Sequence, residues 1–260
     1  MSEEALRYRA RRGLLERDEQ MALLVMRVSG SIHGSNFYPQ VAGVGFSFNP
    51  YTWNEHIDPA AGVVRLVFGL GTRAVDRSDD DYTRLVALNA PLRRPEANFN
   101  EVCQYAQRRV DYLDLKENRL ASGYFLDVLE AQPDFPIDLF AERDPQSGYA
   151  DQSPNWVLTF DRLLTETSLV HDLREMLRML QEAYRYPVDI EFAANYLEHG
   201  ECKINLLQCR PLQVQGAEIN RLPELQIPDE DRIMEAHGAV IGQSRIQEID
   251  RIIYVDPAAF

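Results

Sequence analysis

Residues 187–212 read PVDIEFAANYLEHGECKINLLQCRPL. Two strand-like runs, VDIEFAANYL and KINLLQCRPL, flank a turn signal at His199-Gly200-Glu201, the pattern of an antiparallel hairpin. Side chains alternate along a strand, so Asp189 and Glu191 share one face. Gln208 and Arg210 share one face of the next strand. Ile190 and Phe192 point the other way, toward a core. In a compatible register, two carboxylates, an amide and a guanidinium meet on one patch. Carboxylate oxygens are hard ligands that suit Mg²⁺ alongside phosphate oxygens. Arginine grips phosphate through its planar fork. Phosphoryl transfer needs chiefly positioning and charge neutralisation, which such a patch can supply. The same four residues also fit a plain salt-bridge ladder between two surface strands. Spacing alone leaves both readings open.

Upstream, apolar residues recur at three- and four-residue spacing from Leu163 to Tyr184, which predicts one helix over 161–184. Asp161 supplies a charge that suits its N-terminus, and Pro187 stops it. Over 100–150, Arg109–Leu115 and Tyr124–Leu129 read as strands around a turn at Glu117-Asn118, with Pro133, Pro136 and Pro145 after them. Val41–Phe48 is a weakly alternating strand that ends at Asn49-Pro50. Gly62–Phe68 is β-branched and strand-like, and runs into Gly69-Leu70-Gly71-Thr72. Glycines there let a backbone approach a ligand closely, although a lone G-x-G also makes an ordinary tight turn. Arg73 and Arg77 point at phosphate or simply at solvent. Met21–Val28, MALLVMRV, has the length of a buried strand. Residues 3–20 are charged and helix-compatible. Beyond about 216 the chain is polar and proline-spaced like a linker, with one late strand expected at Ile252–Val255.

The chain has 260 residues and a formal charge of −14. A net acidic surface repels phosphodiester backbones, which argues against nucleic acid as a partner. No apolar run approaches the roughly 20 residues needed to cross a bilayer. Cys103, Cys202 and Cys209 form no C-x-x-C pair and suit a reducing, cytoplasmic setting. His237 reads as an ordinary loop or packing residue.

In order along the chain, MALLVMRV, VAGVGFSFNP, GVVRLVFGLGTRAVDR followed by DDY, and PVDIEFA with INLLQCRPL resemble the nucleotide domain of the phosphoenolpyruvate synthase / pyruvate phosphate dikinase family. The last signature is the most specific, and the resemblance covers roughly residues 5–215. It implies an α+β fold, the C-terminal half of an ATP-grasp domain, with a mainly antiparallel sheet and packed helices. Residues 1–215 then form a partial nucleotide-binding domain, and 216–260 a linker and the start of a following segment. The implied cofactors are ATP and Mg²⁺. Val25, Met26, Arg27 and Val28 match the hinge whose backbone pairs with adenine. Gly69, Gly71, Thr72 and Arg73 match the glycine loop at the nucleotide. Asp189 and Glu191 match acidic metal positions, Gln208 completes the metal site, and Arg210 holds the phosphates as the catalytic arginine. Family members phosphorylate a histidine on a mobile domain, which then phosphorylates pyruvate.

Three departures stand out. Thr72 occupies the place of a family glutamate. The first ATP-grasp half, expected before residue 1, and a T-S-H-A-like phosphohistidine segment are both missing. The expected partners are therefore ATP and those missing segments. Two other functions remain compatible: a degenerate nucleotide-sensing module without turnover, and an ATP-grasp ligase that forms an acyl phosphate.

Overall fold

The computed structural model describes residues 3–18, 20, 23–75, 81–129, 135–144, 156–196, 202–212, 227–233, 248 and 250–253. Met21, Arg77, Pro133, Pro145, the His199-Gly200-Glu201 turn, His237 and Val255 lie outside them. Six α-helices and eleven strands follow in chain order among the described residues. The first group is α1 (Glu3–Arg11), β1 (Ser31–His33), β2 (Asn36–Tyr38), β3 (Val41–Phe46), β4 (Val63–Val67) and α2 (Thr72–Val75). Next come β5 (Arg84–Ala87), α3 (Phe99–Gln104), β6 (Arg109–Asp114), β7 (Arg119–Tyr124) and α4 (Phe125–Leu129). The last are β8 (Ala141–Arg143), β9 (Trp156–Leu158), α5 (Asp161–Glu166), α6 (Leu169–Tyr184), β10 (Val188–Tyr196) and β11 (Cys202–Pro211).

A five-stranded sheet of order β11-β10-β3-β4-β5 forms the centre, flanked by a four-stranded sheet β1-β2-β6-β7 and the pair β8-β9. Every pairing is antiparallel. The fold is α+β with mainly antiparallel sheet, as the sequence implies. One face of the central sheet carries Val64, Leu66, Ile190 and Phe192 into the main core, against Leu169, Leu173 and Leu177 of α6. That leucine spacing places one α6 stripe on the sheet, and each buried leucine contributes about 1.5–3 kcal/mol. Gly43 in the middle of β3 makes the packing possible. A Cβ there would stand 2.3 Å from the Arg65 carbonyl oxygen and 3.0 Å from the Phe192 ring.

Four expectations need correcting. The helix over 161–184 is two helices, broken at Thr167-Ser168. Thr167 has extended backbone, and its hydroxyl donates to the Leu163 carbonyl at 2.6 Å, competing with helix continuation. Tyr124–Leu129 is not a strand. β7 ends at Tyr124, and Phe125–Leu129 turns into a helix whose first N–H donates to the Arg108 carbonyl. The described part of MALLVMRV, Leu23–Val28, is neither strand nor buried: Leu23, Leu24 and Val25 are 82%, 83% and 92% exposed. An apolar run becomes a buried strand only when another strand pairs with it, and none of the described strands pairs with these residues. Ile252 and Ile253 are likewise outside any strand and exposed.

Candidate functional site

The hairpin forms in the register that unites the four residues. Asp189 pairs across the strands with Arg210, and Glu191 with Gln208. A bulge follows Glu191, where Leu207 is the extra residue on β11. On the other side of β10, Asp189 faces Phe46 and Glu191 faces Val44, whose own partner on β4 is Arg65. Partners across a ladder share a face. One face of the central sheet therefore carries Arg210, Asp189, Phe46, Gln208, Glu191 and Arg65, opposite to the core. The Arg65 guanidinium lies 5.3 Å from the Phe46 ring centroid.

Arg210 donates from Nε to both Asp189 oxygens, at 2.7 and 2.9 Å. The Asp189 side chain is 10% exposed and that of Arg210 is 57% exposed. Hydrogen bonding to Asp189, and then its charge, raises the Arg210 pKa, so the guanidinium stays protonated. This pair is one rung of the salt-bridge alternative. It uses only Nε among the arginine donors. Glu191 and Gln208 form no ion pair or side-chain hydrogen bond with the described residues.

The glycine turn lies over the same face. Ala74 of α2 packs with Ala42, Val44, Val67 and Ala193, and Phe46 and Leu207 pack against that cluster. Gly69 has φ +91°, and a Cβ there would meet Val110 Cγ1 at 2.5 Å and the Asp111 carbonyl oxygen at 2.8 Å. Only glycine fits where the chain leaves β4 against β6. Buried Gln107 fixes the same point by holding both the N–H and the carbonyl of Phe68. Thr72 and Arg73 have internal partners. The Thr72 hydroxyl donates to Asp111 Oδ2 at 2.7 Å, and Arg73 Nε donates to Asp111 Oδ1 at 2.9 Å. Arg73 also donates to Asp81 Oδ2 at 3.3 Å and to Ser122 Oγ at 3.0 Å. The Arg73 guanidinium is thus mostly buried and held by partners within the fold. It ties the glycine turn to β6 and β7.

At the far end of the hairpin a groove of about 480 Å³ is lined by Met26, Arg27, Val28, Asn195, Lys203 and Asn205, among others. Three of the four expected hinge residues thus border the same hairpin as the carboxylates. Ser29 Oγ accepts from Asn205 Nδ2 at 2.8 Å and Asn195 Nδ2 at 3.4 Å, which fastens the 23–31 segment to β10 and β11. Sequence reading missed Asn195, Lys203, Asn205 and Arg65. Asn195 could have been found by carrying the Asp189–Glu191 alternation four residues further. Lys203 and Asn205 are put out of phase by the bulge, which leaves no local signal.

Among the described residues, no group of three or more His, Cys, Asp or Glu side chains is disposed to hold a metal ion. No helix among them is long and apolar enough to cross a membrane. Comparison with curated proteins gives no match. The family described as pyruvate phosphate dikinase, AMP/ATP-binding domain, matches residues 1–230. With the fold and the ordered motifs, that match over most of the chain shows that it belongs to the pyruvate phosphate dikinase AMP/ATP-binding domain family.

Proposed function

We propose that the chain is the C-terminal ATP-grasp half of a phosphoenolpyruvate synthase-like phosphotransferase, binding Mg-ATP along the face of β10 and β11 opposite the main core. The observation that carries this reading is the register, which sets Asp189 against Arg210 and Glu191 against Gln208. The groove at Met26–Ser31 takes the nucleoside, with backbone groups of Val25, Met26, Arg27 and Val28 facing the base. From Asn195 to Glu191 is four residues of strand, a rise of about 13 Å, comparable to an extended nucleoside triphosphate. The phosphates then lie by Arg210, under the Gly69–Gly71 turn.

The residues present fit Mg²⁺ by the chemistry of their donors: two carboxylates and an amide oxygen, all hard, with phosphate oxygens to fill the remaining positions. Glu191 and Gln208 lack competing partners among the described residues, and Asp189 shares its oxygens with Arg210. When bound, the ion neutralises phosphate charge and orients the transferring group. Arg210 keeps its charge and offers its Nη groups to phosphate oxygens while Asp189 fixes its position. The acceptor is a histidine on a separate domain, and the setting is the cytoplasm. Residues 1–215 form the nucleotide unit and 216–260 lead toward the rest of the protein.

A second reading, a nucleotide-sensing module without turnover, is favoured by one specific observation. Thr72 replaces the family glutamate, and its hydroxyl is engaged by Asp111. Calorimetry with ATP, in Mg²⁺ and in EDTA, tests the shared part of both readings. Glu191→Gln should weaken binding in Mg²⁺ and leave binding in EDTA unchanged. Equal affinity of both proteins for Mg-ATP would remove Glu191 from the site. Incubation of the complete gene product with labelled ATP, followed by a search for acid-labile phosphate, then separates turnover from sensing.

A further inference from the structure

A second cavity, of about 600 Å³, opens between α3, the 106–108 loop, α4 and β9. It shares no lining residue with the β10–β11 face or its groove. Its volume falls within the roughly 300–1,000 Å³ usual for small-molecule sites. Phe125 and Val157 line it as buried apolar side chains, and Trp156 and Cys103 are half-buried beside them. Arg143 stacks over the Trp156 ring at 5.1 Å.

Two exposed side chains of opposite charge, Arg108 and Asp127, also line the cavity. They do not pair with each other. The Arg108 guanidinium makes only a long 3.5 Å contact with the Gln104 carbonyl, and the Asp127 carboxylate has no partner among the described residues. Unlike charges that border one cavity without closing on each other leave room for a zwitterion between them. An apolar, aromatic wall beside them suits a ring, through offset or edge-to-face contacts.

We propose that this cavity binds an aromatic α-amino acid. Its carboxylate meets Arg108 through charge-assisted hydrogen bonds, its ammonium meets Asp127, and its ring lies against Phe125 and Trp156. The Arg108 side chain is separable from the fold. Its backbone N–H holds Asp81 at 2.8 Å, and truncating the side chain leaves that bond intact.

The chain has two tryptophans, Trp53 and Trp156. Trp53→Phe therefore makes Trp156 the sole tryptophan reporter of the cavity. In that background, L-phenylalanine should cause a saturable change in Trp156 emission. Phenylacetate and phenethylamine each lack one of the two charges and should bind about tenfold more weakly or worse. Arg108→Ala and Asp127→Asn should each weaken L-phenylalanine by a similar factor, with an unchanged melting curve. The response should persist in saturating Mg-ATP. No saturable change at millimolar L-phenylalanine would overturn the proposal. So would equal responses to all three compounds, retention of full affinity in both variants, or loss of the response on adding ATP.

Discussion

Arg73→Met distinguishes an arginine that holds the fold from one that waits for phosphate. The wild-type guanidinium donates to Asp111, Asp81 and Ser122, and its side chain is 13% exposed beside an Asp81 side chain that is 2% exposed. Methionine keeps most of the aliphatic stem and its packing and removes three donors. Hydrogen bonds to charged groups are worth about 1.5–3 kcal/mol each. The sum overstates the loss, because both carboxylates keep other partners. Asp111 retains the Thr72 hydroxyl, and Asp81 retains the N–H groups of Arg108 and Arg109 at 2.8 and 2.9 Å. A net loss of about 2–4 kcal/mol follows, because two carboxylates, one of them almost fully buried, lose their cation. In a domain of this size that lowers Tm by about 5–10 °C. Thermal and urea unfolding without nucleotide measure it. A ligand-free stability within 0.5 kcal/mol of wild type, with ATP affinity much reduced, would refute the clamp and restore Arg73 to the phosphates.

Gly69→Ala should destabilise the chain by more than about 2 kcal/mol, because φ +91° and a contact of 2.5 Å to Val110 both oppose a side chain. Wild-type stability on urea unfolding would show that the β4–β6 approach is loose. The three thiols have their pKa raised above the ordinary value, in each case first by burial. A raised pKa lowers the thiolate fraction at pH 7.5, so alkylation should be slower in the native chain than in urea and should accelerate as pH rises. Equal native and unfolded rates, followed by mass spectrometry at each cysteine, would contradict this.

The hairpin was legible in the sequence because its two signals are local. Alternation assigns Asp189 and Glu191 to one face, and the short turn dictates which strand is the neighbour. β3 and β4 were legible for the same reason, from glycine-spaced and β-branched runs. The Arg73 clamp was not, because no local pattern brings the β6–β7 hairpin, where Asp111 pairs with Ser122, or Asp81 to the glycine turn. Leu23–Val28 misled because apolar composition signals burial only if a partner strand exists. Phe125–Leu129, FLDVL, misled because a five-residue segment with four apolar residues is too short to show whether its period is that of a strand or a helix.

Arg210→Lys tests the central claim most directly. The wild-type pair with Asp189 is more than half exposed on the arginine side, so losing its geometry should change stability by about 0–1 kcal/mol and leave the fold intact. Lysine keeps the charge and loses the planar fork. If Arg210 grips phosphate, Mg-ATP affinity should fall about ten- to a hundredfold, the equivalent of one charge-assisted hydrogen bond, while adenosine affinity stays unchanged. Calorimetry with both ligands, on wild type and variant, gives the answer. Equal Mg-ATP affinity in two well-folded proteins would reduce the Asp189–Arg210 pair to a surface salt bridge and remove the phosphate end of the proposed site.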